Sequence, residues 1–531
     1  MNRLIVQIVF TCIFLQGVLT FAQPPINERY VIDEEIYSVF SSVISTDSCY
    51  YVSGLQTSIP SFSSASSTLL RYNFDGTIDN TGIIHNDTLG IAFMNMSQMI
   101  MTLDSNFAHI AIAQKAGIPS SFIFVKMKPN GDTMVTKYYS EFYSDDGLIG
   151  KNPGKLIQHL DGTFYGIVSV QREDDLRGAT VFYQLSENGD LIHYNVFYGL
   201  DPVYYRILKP HGLIKYSEDL YIISASLRKP SVPTEDERYH TKLIIVNGLG
   251  EIIEEYTYWD DLLSLDCNGL TKTVDGGLLY CGRIGEYITD FGGVNVYKAR
   301  IVKLNSDFEE EWEITLGETP KHSTAIALNK IKQVNDTEYV AVGYIISTID
   351  LEVNNYGWLV KFNIDGEKIW ERKYLNIPHY GSEHAEHKLY DVDITPDNGF
   401  VMVGEGVNFY DTEDLPGQKA WLVKVDSFGC LVPGCQDWDI GIDEIPSNYT
   451  STPVYPNPAS NSIFYYHHQD NFQPVEVTIY SISGQIVQAW SIHSNDITCV
   501  VDISDFQNGM YILKVTASDG GIMETQQFVK Q

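Results

Sequence analysis

The sequence predicts an all-β protein in which a seven-bladed β-propeller of four-stranded blades precedes a small Ig-like β-sandwich. Three observations support this fold class. Two strand-and-turn motifs each recur seven times within residues 23–436. Tyrosine is abundant, with 35 copies in 531 residues, and aromatic residues suit strands better than helices. Strand patterns resume at residue 453, after an acidic and Ser/Thr/Pro-rich stretch at residues 437–452 that reads as a linker.

The first 22 residues fit a secretory signal peptide. Arg3 supplies the positive charge, Leu4 to Leu19 form the apolar run, and small residues at Thr20 and Ala22 predict cleavage before Gln23. The alternative is a membrane anchor. The apolar run is short for a span, which needs about 20 residues. We therefore expect an exported chain without a transmembrane segment in its mature form.

The first repeated motif is an alternating strand followed by a tight turn. Its clearest copy runs from Leu359 through Val-Lys-Phe-Asn-Ile to Asp365-Gly366. The seven copies start 55 to 63 residues apart, at Leu69, Phe124, Phe182, Leu243, Ile301, Leu359 and Leu422. A repeat of this length indicates one supersecondary unit per period, stacked on its neighbours.

The second repeated motif is an Asp in a polar turn, with a small residue seven positions later. The Asp residues are 56 to 61 residues apart, at Asp47, Asp104, Asp161, Asp219, Asp275, Asp336 and Asp397. The later positions are Gly54, Ala111, Val168, Ser226, Gly282, Gly343 and Gly404. We interpret the Asp as a residue that caps a hairpin turn rather than as a calcium ligand, because no Asp-x-Asp-x-Asp-Gly loop is present.

Together the motifs describe four antiparallel strands per period, which is one propeller blade. Trp312 and Trp370 stand at matching positions, and we expect them to pack between blades. The seventh unit lacks a fourth strand, since Pro433 interrupts the segment that should form it. We predict that residues 28–36 supply this strand and close the ring. The alternative is an open array.

Six cysteines follow the predicted signal peptide. Cys267 and Cys281 flank the turn at Asp275, so a cross-strand disulfide is predicted there. Cys430 and Cys435 are predicted to close a small loop. Export permits both bonds. Cys49 and Cys499 have no evident partner.

The last domain carries an ordered set of short motifs. These are Tyr455-Pro456-Asn457-Pro458, a turn at Gly484, the segment Gly509-Met-Tyr511, and a final strand that ends at Lys530. This order resembles the type A C-terminal sorting domain of the type IX (Por) secretion system. The upstream repeats also resemble repeats that are common in cargo of that system.

The resemblance implies several partners and a location. An outer-membrane translocon of a Gram-negative bacterium would recognise residues 453–531, and a surface sortase-like protease would remove them. The cargo would then be secreted or attached to the outer cell surface.

The formal net charge of −33 argues against nucleic acid as a partner, because such proteins present a basic surface. The sequence contains no Gly-x-Ser-x-Gly elbow, no P-loop and no dinucleotide fingerprint. We therefore expect no cofactor and assign no catalytic residue.

One histidine cluster is a candidate for metal binding. It contains His379, Glu383, His384 and His387, whose side chains are suitable ligands for a divalent metal. Its spacing matches no established motif, so we favour the alternative of a solvated loop and predict no metal.

Two functions remain open from the sequence. The favoured one is a non-catalytic binding, adhesion or scaffold module for an extracellular protein or glycan. The alternative is a secreted enzyme that cleaves glycans or peptides, with its site in the propeller funnel. Carboxylates that converge there with perturbed pKa values would favour the enzyme.

Overall fold

The structure is a computed structural model, and it divides the chain into two compact units, Met1–Cys435 and Gln436–Gln531. It describes residues 23–30, 37–57, 65–86, 90–94, 97–115, 118–174, 177–198, 207–228, 239–260, 263–288, 294–317, 324–349, 352–376, 385–408, 417–431, 435, 454, 456–467, 474–482, 485–493, 497–517 and 522–531.

The first unit is built of strands, with one short helix, α1 (Glu141–Asp146), in its described part. The strands are β1 (Ile26–Tyr30), β2 (Tyr37–Ser45), β3 (Tyr50–Thr57), β4 (Ser66–Tyr72), β5 (Ile78–Ile84), β6 (Gly90–Ala92), β7 (Ile100–Met101), β8 (Phe107–Lys115), β9 (Ile118–Met127), β10 (Thr133–Tyr139), β11 (Leu148–Gln158), β12 (Phe164–Arg172), β13 (Gly178–Leu185), β14 (Leu191–Tyr198), β15 (Ile207–Lys215), β16 (Leu220–Arg228), β17 (Tyr239–Asn247), β18 (Ile252–Tyr258), β19 (Leu263–Lys272), β20 (Leu278–Ile288), β21 (Val294–Leu304), β22 (Glu310–Leu316), β23 (Thr324–Gln333), β24 (Glu338–Ile349), β25 (Glu352–Asn363), β26 (Lys368–Tyr374), β27 (Ala385–Ile394), β28 (Phe400–Asn408) and β29 (Gln418–Val425).

These strands form repeated four-stranded antiparallel groups, the organisation of a β-propeller. Strands β2 to β5 form one group, and β6, β8, β9 and β10 form the next, with β7 added to β8. Two larger sheets each consist of two groups, β11–β14 with β15–β18 and β19–β22 with β23–β26. One parallel residue pair joins the groups in each larger sheet, Gly178 with Ile207 and Val296 with Thr324. The first strand of each group contacts the first strand of the next, from β11 through β15, β19, β23 and β27 to β2.

The last group is completed by the N-terminal strand. Strand β1 pairs antiparallel with β29, from Ile26 opposite Lys424 to Tyr30 opposite Ala420. The backbone N–H of Gln23 also donates to Asp397 Oδ2 at 2.8 Å. The prediction that an N-terminal segment supplies the fourth strand of the last group is confirmed, although the strand begins two residues earlier than expected. Residues 31–36, which the prediction also included, lie outside the described part of the chain.

The two repeated sequence motifs meet in three ion pairs with buried lysines, which we call the turn pairs. Each joins the Asp of a hairpin turn to the Lys of a third strand: Asp104 with Lys126 at 2.8 Å, Asp275 with Lys303 at 2.8 Å, and Asp397 with Lys424 at 3.0 Å. The lysines are almost completely inaccessible to solvent. Because a buried charge needs a partner, the two motifs depend on each other in these three groups.

Aromatic side chains pack between neighbouring groups, as predicted for Trp312 and Trp370. The Trp312 indole N–H donates to the Ile364 carbonyl oxygen at 3.0 Å, across to the following group. Trp370 meets Phe400 of the next group edge to face, with ring centroids 5.9 Å apart. Both residues belong to apolar clusters that span two groups, so they bind successive units together.

The second unit is a small β-structure with two sheets. Its strands are β30 (Ser462–His467), β31 (Val475–Ser481), β32 (Ile486–Ile492), β33 (Ile497–Asp502), β34 (Gly509–Ala517) and β35 (Ile522–Lys530). Strands β30 and β33 form one sheet, and β32, β31, β34 and β35 form the other. Residues of both sheets, such as Ile463 and Leu513, share one apolar core, which is the layering of a β-sandwich.

Candidate functional site

Most first strands of the four-stranded groups contain a β-bulge. The register with the second strand shifts between Phe40 and Ser42, Pro153 and Leu156, Pro210 and Gly212, Cys267 and Gly269, Leu328 and Lys330, and Leu389 and Asp391. A bulge places two residues opposite one and redirects a side chain away from the regular alternation. The side chain of the extra residue in each bulge therefore departs from the regular alternation of its strand.

In four groups the small residue of the second sequence motif lies opposite the bulge, at Gly54, Gly282, Gly343 and Gly404. A Cβ atom at Gly404 would lie 1.8 Å from the Lys388 carbonyl oxygen, and one at Gly343 would lie 1.9 Å from that of Ala327. These distances are far below van der Waals contact, so a larger residue cannot occupy these positions without displacing the bulge. In the group where Val168 breaks the pattern, Gly154 on the opposite strand serves instead, since its Cβ would lie 2.0 Å from the Ile167 oxygen.

The bulges surround a cavity of about 270 Å³, which we call the inner-strand cavity. Its lining comes from strands β11, β15, β19, β20, β23, β24 and β27, and it consists of Lys155, Lys209, His211, Asp266, Asn268, Arg283, Ala327, Asn329, Tyr344, Lys388 and Tyr390. His211, Asn268, Asn329 and Tyr390 are bulge residues, and Gly154 and Lys155 together fill the bulge of β11. The repeated backbone feature thus brings together residues that are far apart in sequence.

The cavity lining is cationic although the whole chain is strongly acidic. It contains three lysines and one arginine against a single carboxylate, that of Asp266. Arg283 donates through Nε to Asp266 Oδ2 at 3.1 Å, and Lys388 pairs with Glu386. Within the described residues, Lys155 and Lys209 have neither a carboxylate within 4.0 Å nor a hydrogen-bond partner. Neither ammonium group therefore has an ion-pair partner among the described residues, although Asp391 acts on Lys155 and Asp266 acts on Lys209 at longer range.

Burial makes the protonated state of these two lysines unfavourable. It lowers the pKa of Lys155 to about 7, and the nearby Lys330 ammonium acts in the same direction while Asp391 opposes it. Burial also lowers the pKa of Lys209, while the Asp266 carboxylate opposes this effect and Arg283 adds repulsion. A negative ligand would relieve both penalties, because an opposite charge favours the protonated form.

Three neighbouring polar groups resemble the composition of a Ser-His-Asp triad but not its arrangement. Ser226 lies 2.9 Å from His211 Nε2, and its hydroxyl donates to Asp266 Oδ1. In a catalytic triad the serine hydroxyl gives its proton to the histidine, and the carboxylate accepts from the histidine. Here the serine proton is directed to the carboxylate instead, so this group provides no activated nucleophile.

The two predicted disulfides have different outcomes. Cys430 and Cys435 form a disulfide with their Cα atoms 5.6 Å apart. The predicted Cys267–Cys281 bond is wrong in this structure, where both thiols are free and buried. Cys267 pairs with Gly282, so the adjacent Cys281 points to the opposite face of the sheet. The two sulfurs accordingly pack in different apolar clusters.

The histidine cluster cannot be followed as a whole. His379, Glu383 and His384 lie outside the described residues. His387 is buried in β27, with its Nδ1 3.1 Å from the Asn355 carbonyl oxygen and its ring edge-to-face with Trp421. The described part of the chain contains no group of three or more His, Cys, Asp or Glu residues that could hold a metal ion.

Several residues of the C-terminal motif meet at the end of the last strand. The Asn457 side chain donates to the Gln527 carbonyl oxygen at 3.0 Å and accepts from the Val529 N–H at 2.9 Å. Tyr511 stacks on Phe528 in the same region, and Lys530 is largely buried. The other motif residues, Tyr455 and Gly484, are not among the described residues. The Pro-Asn-Pro segment therefore fixes the C-terminal strand.

A family profile described as the secretion system C-terminal sorting domain matches residues 453–531. The chain is a cargo protein of the type IX secretion system. The cargo is handled by that machinery and is secreted or attached to the outer surface of a Gram-negative bacterium. Among the described residues, no helix is long and apolar enough to cross a membrane.

The other comparisons show distant likeness. None of the curated proteins compared with the cargo matches it. The crystal structure of the polysaccharide lyase Uly1 is similar at 11% identity and a TM-score of 0.43, covering 73% of this chain and 90% of that one. An α-L-arabinanase of Penicillium chrysogenum is similar at 11% identity and a TM-score of 0.39, covering 62% and 92%.

Sequence reasoning did not identify the residues of the inner-strand cavity. Lys155 lies in β11, and Lys209 and His211 lie in β15 of the next repeat. No known spacing motif joins these three residues. One signal was available. A polar or charged residue stands six to eight positions before the turn Asp in five successive repeats, at Lys155, His211, Asn268, Asn329 and Tyr390.

Proposed function

We propose that the exported protein is a closed seven-bladed β-propeller that binds an anionic ligand in its central funnel. The observation that carries this proposal is that two lysines of the inner-strand cavity, Lys155 and Lys209, have no ion-pair partner among the described residues. Seven groups of four strands support the blade count, with β1 as the fourth strand of the last group. The contact between β27 and β2 supports closure of the ring.

The charge of the lining favours binding over catalysis. A glycan- or peptide-cleaving site would need carboxylates or an activated nucleophile. The one carboxylate of the lining, Asp266, already accepts from Arg283, Ser226 and the Cys267 N–H. We therefore propose a non-catalytic binding or adhesion module whose extracellular ligand is a glycan or protein that carries negative charge.

Calorimetry on the chain from Gln23 to Gln531 tests anion binding. The probes are D-galacturonate, acetate and sulfate, with neutral D-galactose as the reference ligand. We expect at least one anion to bind and galactose not to bind. The variants are Lys155→Met and, as a matched control, Lys368→Met, which removes the same charge from the outer strand β26. No anion binding, or equal loss in both variants, would contradict the proposal.

A second candidate is an enzyme in the same funnel, and one observation favours it. A lysine with a pKa of about 7 is partly neutral at physiological pH, which suits a general base. Incubation with acidic polysaccharides, followed by measurement of chain ends and product masses, separates the two functions. If the protein cleaves such a polysaccharide and Lys155→Met abolishes the cleavage, the enzyme is the correct function and the non-catalytic binding module is not.

We also propose that the sorting domain is removed by cleavage within residues 437–452. Mass spectrometry of protein from washed cells and from the medium checks this, and the fraction that holds the protein distinguishes release from surface attachment. The expected product begins at Gln23 and ends in the linker. A chain recovered outside the cell that still ends at Gln531 would contradict removal of the tail.

A further inference from the structure

We propose that the ligand of the inner-strand cavity is a hydroxylated carboxylic acid of the sugar-acid class, with one of its hydroxyls donating to His211 Nδ1. This inference rests on the proposed anion-binding function and adds the chemical class of the ligand. It follows from the hydrogen atoms that the cavity residues can and cannot supply.

The first step is the direction of each hydrogen bond around Ser226. The Asp266 carboxyl accepts from Arg283 Nε at 3.1 Å, from the Ser226 hydroxyl and from the Cys267 N–H, and these donors stabilise its charged form. Asp266 is therefore an ionised carboxylate at neutral pH and can only accept. The Ser226 hydroxyl supplies the hydrogen of that bond, so its oxygen must accept at the contact with His211.

The second step fixes the tautomer of His211. Burial lowers the pKa of His211 to about 3, so the ring is neutral at physiological pH. A neutral imidazole carries one hydrogen, and the contact with Ser226 places it on Nε2. Nδ1 is consequently an acceptor.

The third step is that this acceptor has no donor. His211 is 6% exposed, and its Nδ1 is buried without a hydrogen-bond partner within the described residues. Buried polar atoms are normally paired, and His211 lines the cavity, so we assign the missing donor to the ligand. The ligand must therefore bring an O–H or N–H donor.

Two amide side chains also leave acceptor atoms available to a ligand. Asn268 donates through Nδ2 to the Leu328 carbonyl oxygen at 3.0 Å, and Asn329 donates to the Leu389 carbonyl oxygen at 2.8 Å. In each amide one N–H serves the bond to the next bulge, so the amide oxygen and the second N–H remain available to a ligand. The cavity thus combines unpaired cations with several acceptors.

This combination selects among anions. Sulfate and acetate ions have acceptors only, so they can neutralise the lysines but cannot donate to His211 Nδ1. A neutral sugar has hydroxyl donors but no charge for the lysines. A sugar acid has both, and the aromatic rings of Tyr344 and Tyr390 in the lining suit a sugar ring. The volume of about 270 Å³ is near the lower end of ligand sites, which favours a single ring.

Calorimetry on the chain from Gln23 to Gln531 tests the inference with D-galacturonate, D-glucuronate and D-mannuronate against acetate, sulfate and D-galactose. We expect at least one uronate to bind tenfold or more tightly than acetate and sulfate. Equal binding of uronates and simple anions would overturn the sugar-acid inference and leave the anion-binding function intact. No binding of any anion would instead overturn the proposed function.

The variant His211→Gln isolates the Nδ1 acceptor, since a glutamine amide can occupy the position of Nε2 beside Ser226 while Nδ1 is lost. We expect it to abolish the preference for the uronate and to retain the affinity for sulfate. A retained preference would overturn the role of His211.

A ligand series on the unaltered protein keeps the test independent of folding of the variant. In each member one uronate hydroxyl is replaced by fluorine, which accepts but does not donate. One position should lose tenfold or more in affinity, and no loss at any position would overturn the inference.

Discussion

Lysines play opposite parts in two regions of the first unit. In the turn pairs, Lys126, Lys303 and Lys424 are almost fully buried, and each ammonium meets the carboxylate of a hairpin turn at 2.8 to 3.0 Å. In the inner-strand cavity, Lys155 and Lys209 face open volume, and neither has an ion-pair or hydrogen-bond partner among the described residues.

The difference separates stability from binding. The turn pairs recur with the repeat and are satisfied within the protein, so removing one partner should damage the fold. The cavity lysines do not recur, and their protonated state is disfavoured by burial, so removing one should harm only what binds there. This comparison makes the following predictions.

The largest expected effect is in the turn pair of the last group. Asp397→Ala leaves Lys424 buried without its partner and removes the acceptor of the Gln23 N–H. We expect a loss of about 3–5 kcal/mol in the free energy of unfolding, as for other broken buried pairs, measured by denaturant titration.

Asp275→Ala is the matched control. Lys303 keeps a second carboxylate, Glu311, at 2.8 Å, so the loss should be smaller. The double variant Asp397→Ala/Lys424→Met should recover part of the loss. Equal losses for Asp397→Ala and Asp275→Ala would contradict this account of the turn pairs.

The bulge that shapes the cavity is tested next. In Gly404→Ala the added Cβ would collide with the Lys388 carbonyl oxygen. We expect a loss of about 1–3 kcal/mol in the free energy of unfolding, together with weaker anion binding, because the bulge must move. The control Ala111→Gly lies in the second group, where β6 and β8 pair without a register shift, so binding should stay unchanged. Unchanged binding in Gly404→Ala would show that the bulge does not set the cavity.

Lys155→Met tests the other side of the comparison. We expect the affinity for the bound anion to fall at least tenfold, or about 1.4 kcal/mol, while the free energy of unfolding is unchanged or rises. The reason is that the variant removes a charge whose burial is uncompensated. Calorimetry and denaturant titration on the same preparation check both parts. A loss of stability like that of Asp397→Ala would erase the distinction between the two regions.

The smallest predicted effect is in the pH dependence of binding. The pKa of Lys155 is about 7 in the free protein, and a bound anion should raise it. Affinity should therefore be constant below pH 7 and decrease as the pH rises above it, by up to about tenfold from pH 6 to pH 8. Calorimetry across this range measures it. The affinity should depend less on pH in the variant Lys155→Met. An unchanged pH dependence in this variant would show that a group other than Lys155 titrates.

The fold was accessible from the sequence because its signals are local. An Asp in a turn, a strand of alternating residues and a Gly seven positions later can each be read within ten residues, and their period reveals the group. The chain position that closes the last group was also predictable, since Pro433 leaves a strand missing and the N-terminal segment has no partner of its own.

The cavity was not accessible, for a physical reason. His211 and Asp266 are adjacent only because successive first strands are neighbours, and His211 lines the cavity as the extra residue of a β-bulge, which no local spacing indicates. The Cys267–Cys281 prediction failed for a related reason. A single residue of register decides which face of a strand a side chain occupies, and the turn sequence alone did not fix it.

The pairing of β1 with β29 has a consequence for the order of folding. Ile26 and Lys424 are neighbours in the sheet, although nearly the whole first unit lies between them in the chain. Contacts of such sequence separation form late and slowly, because a long loop must close before they contribute. Each earlier group can fold from adjacent segments, but the last group must wait until residues 418–425 are available. The last group therefore cannot form until the end of the first unit, residues 418–425, has been synthesised.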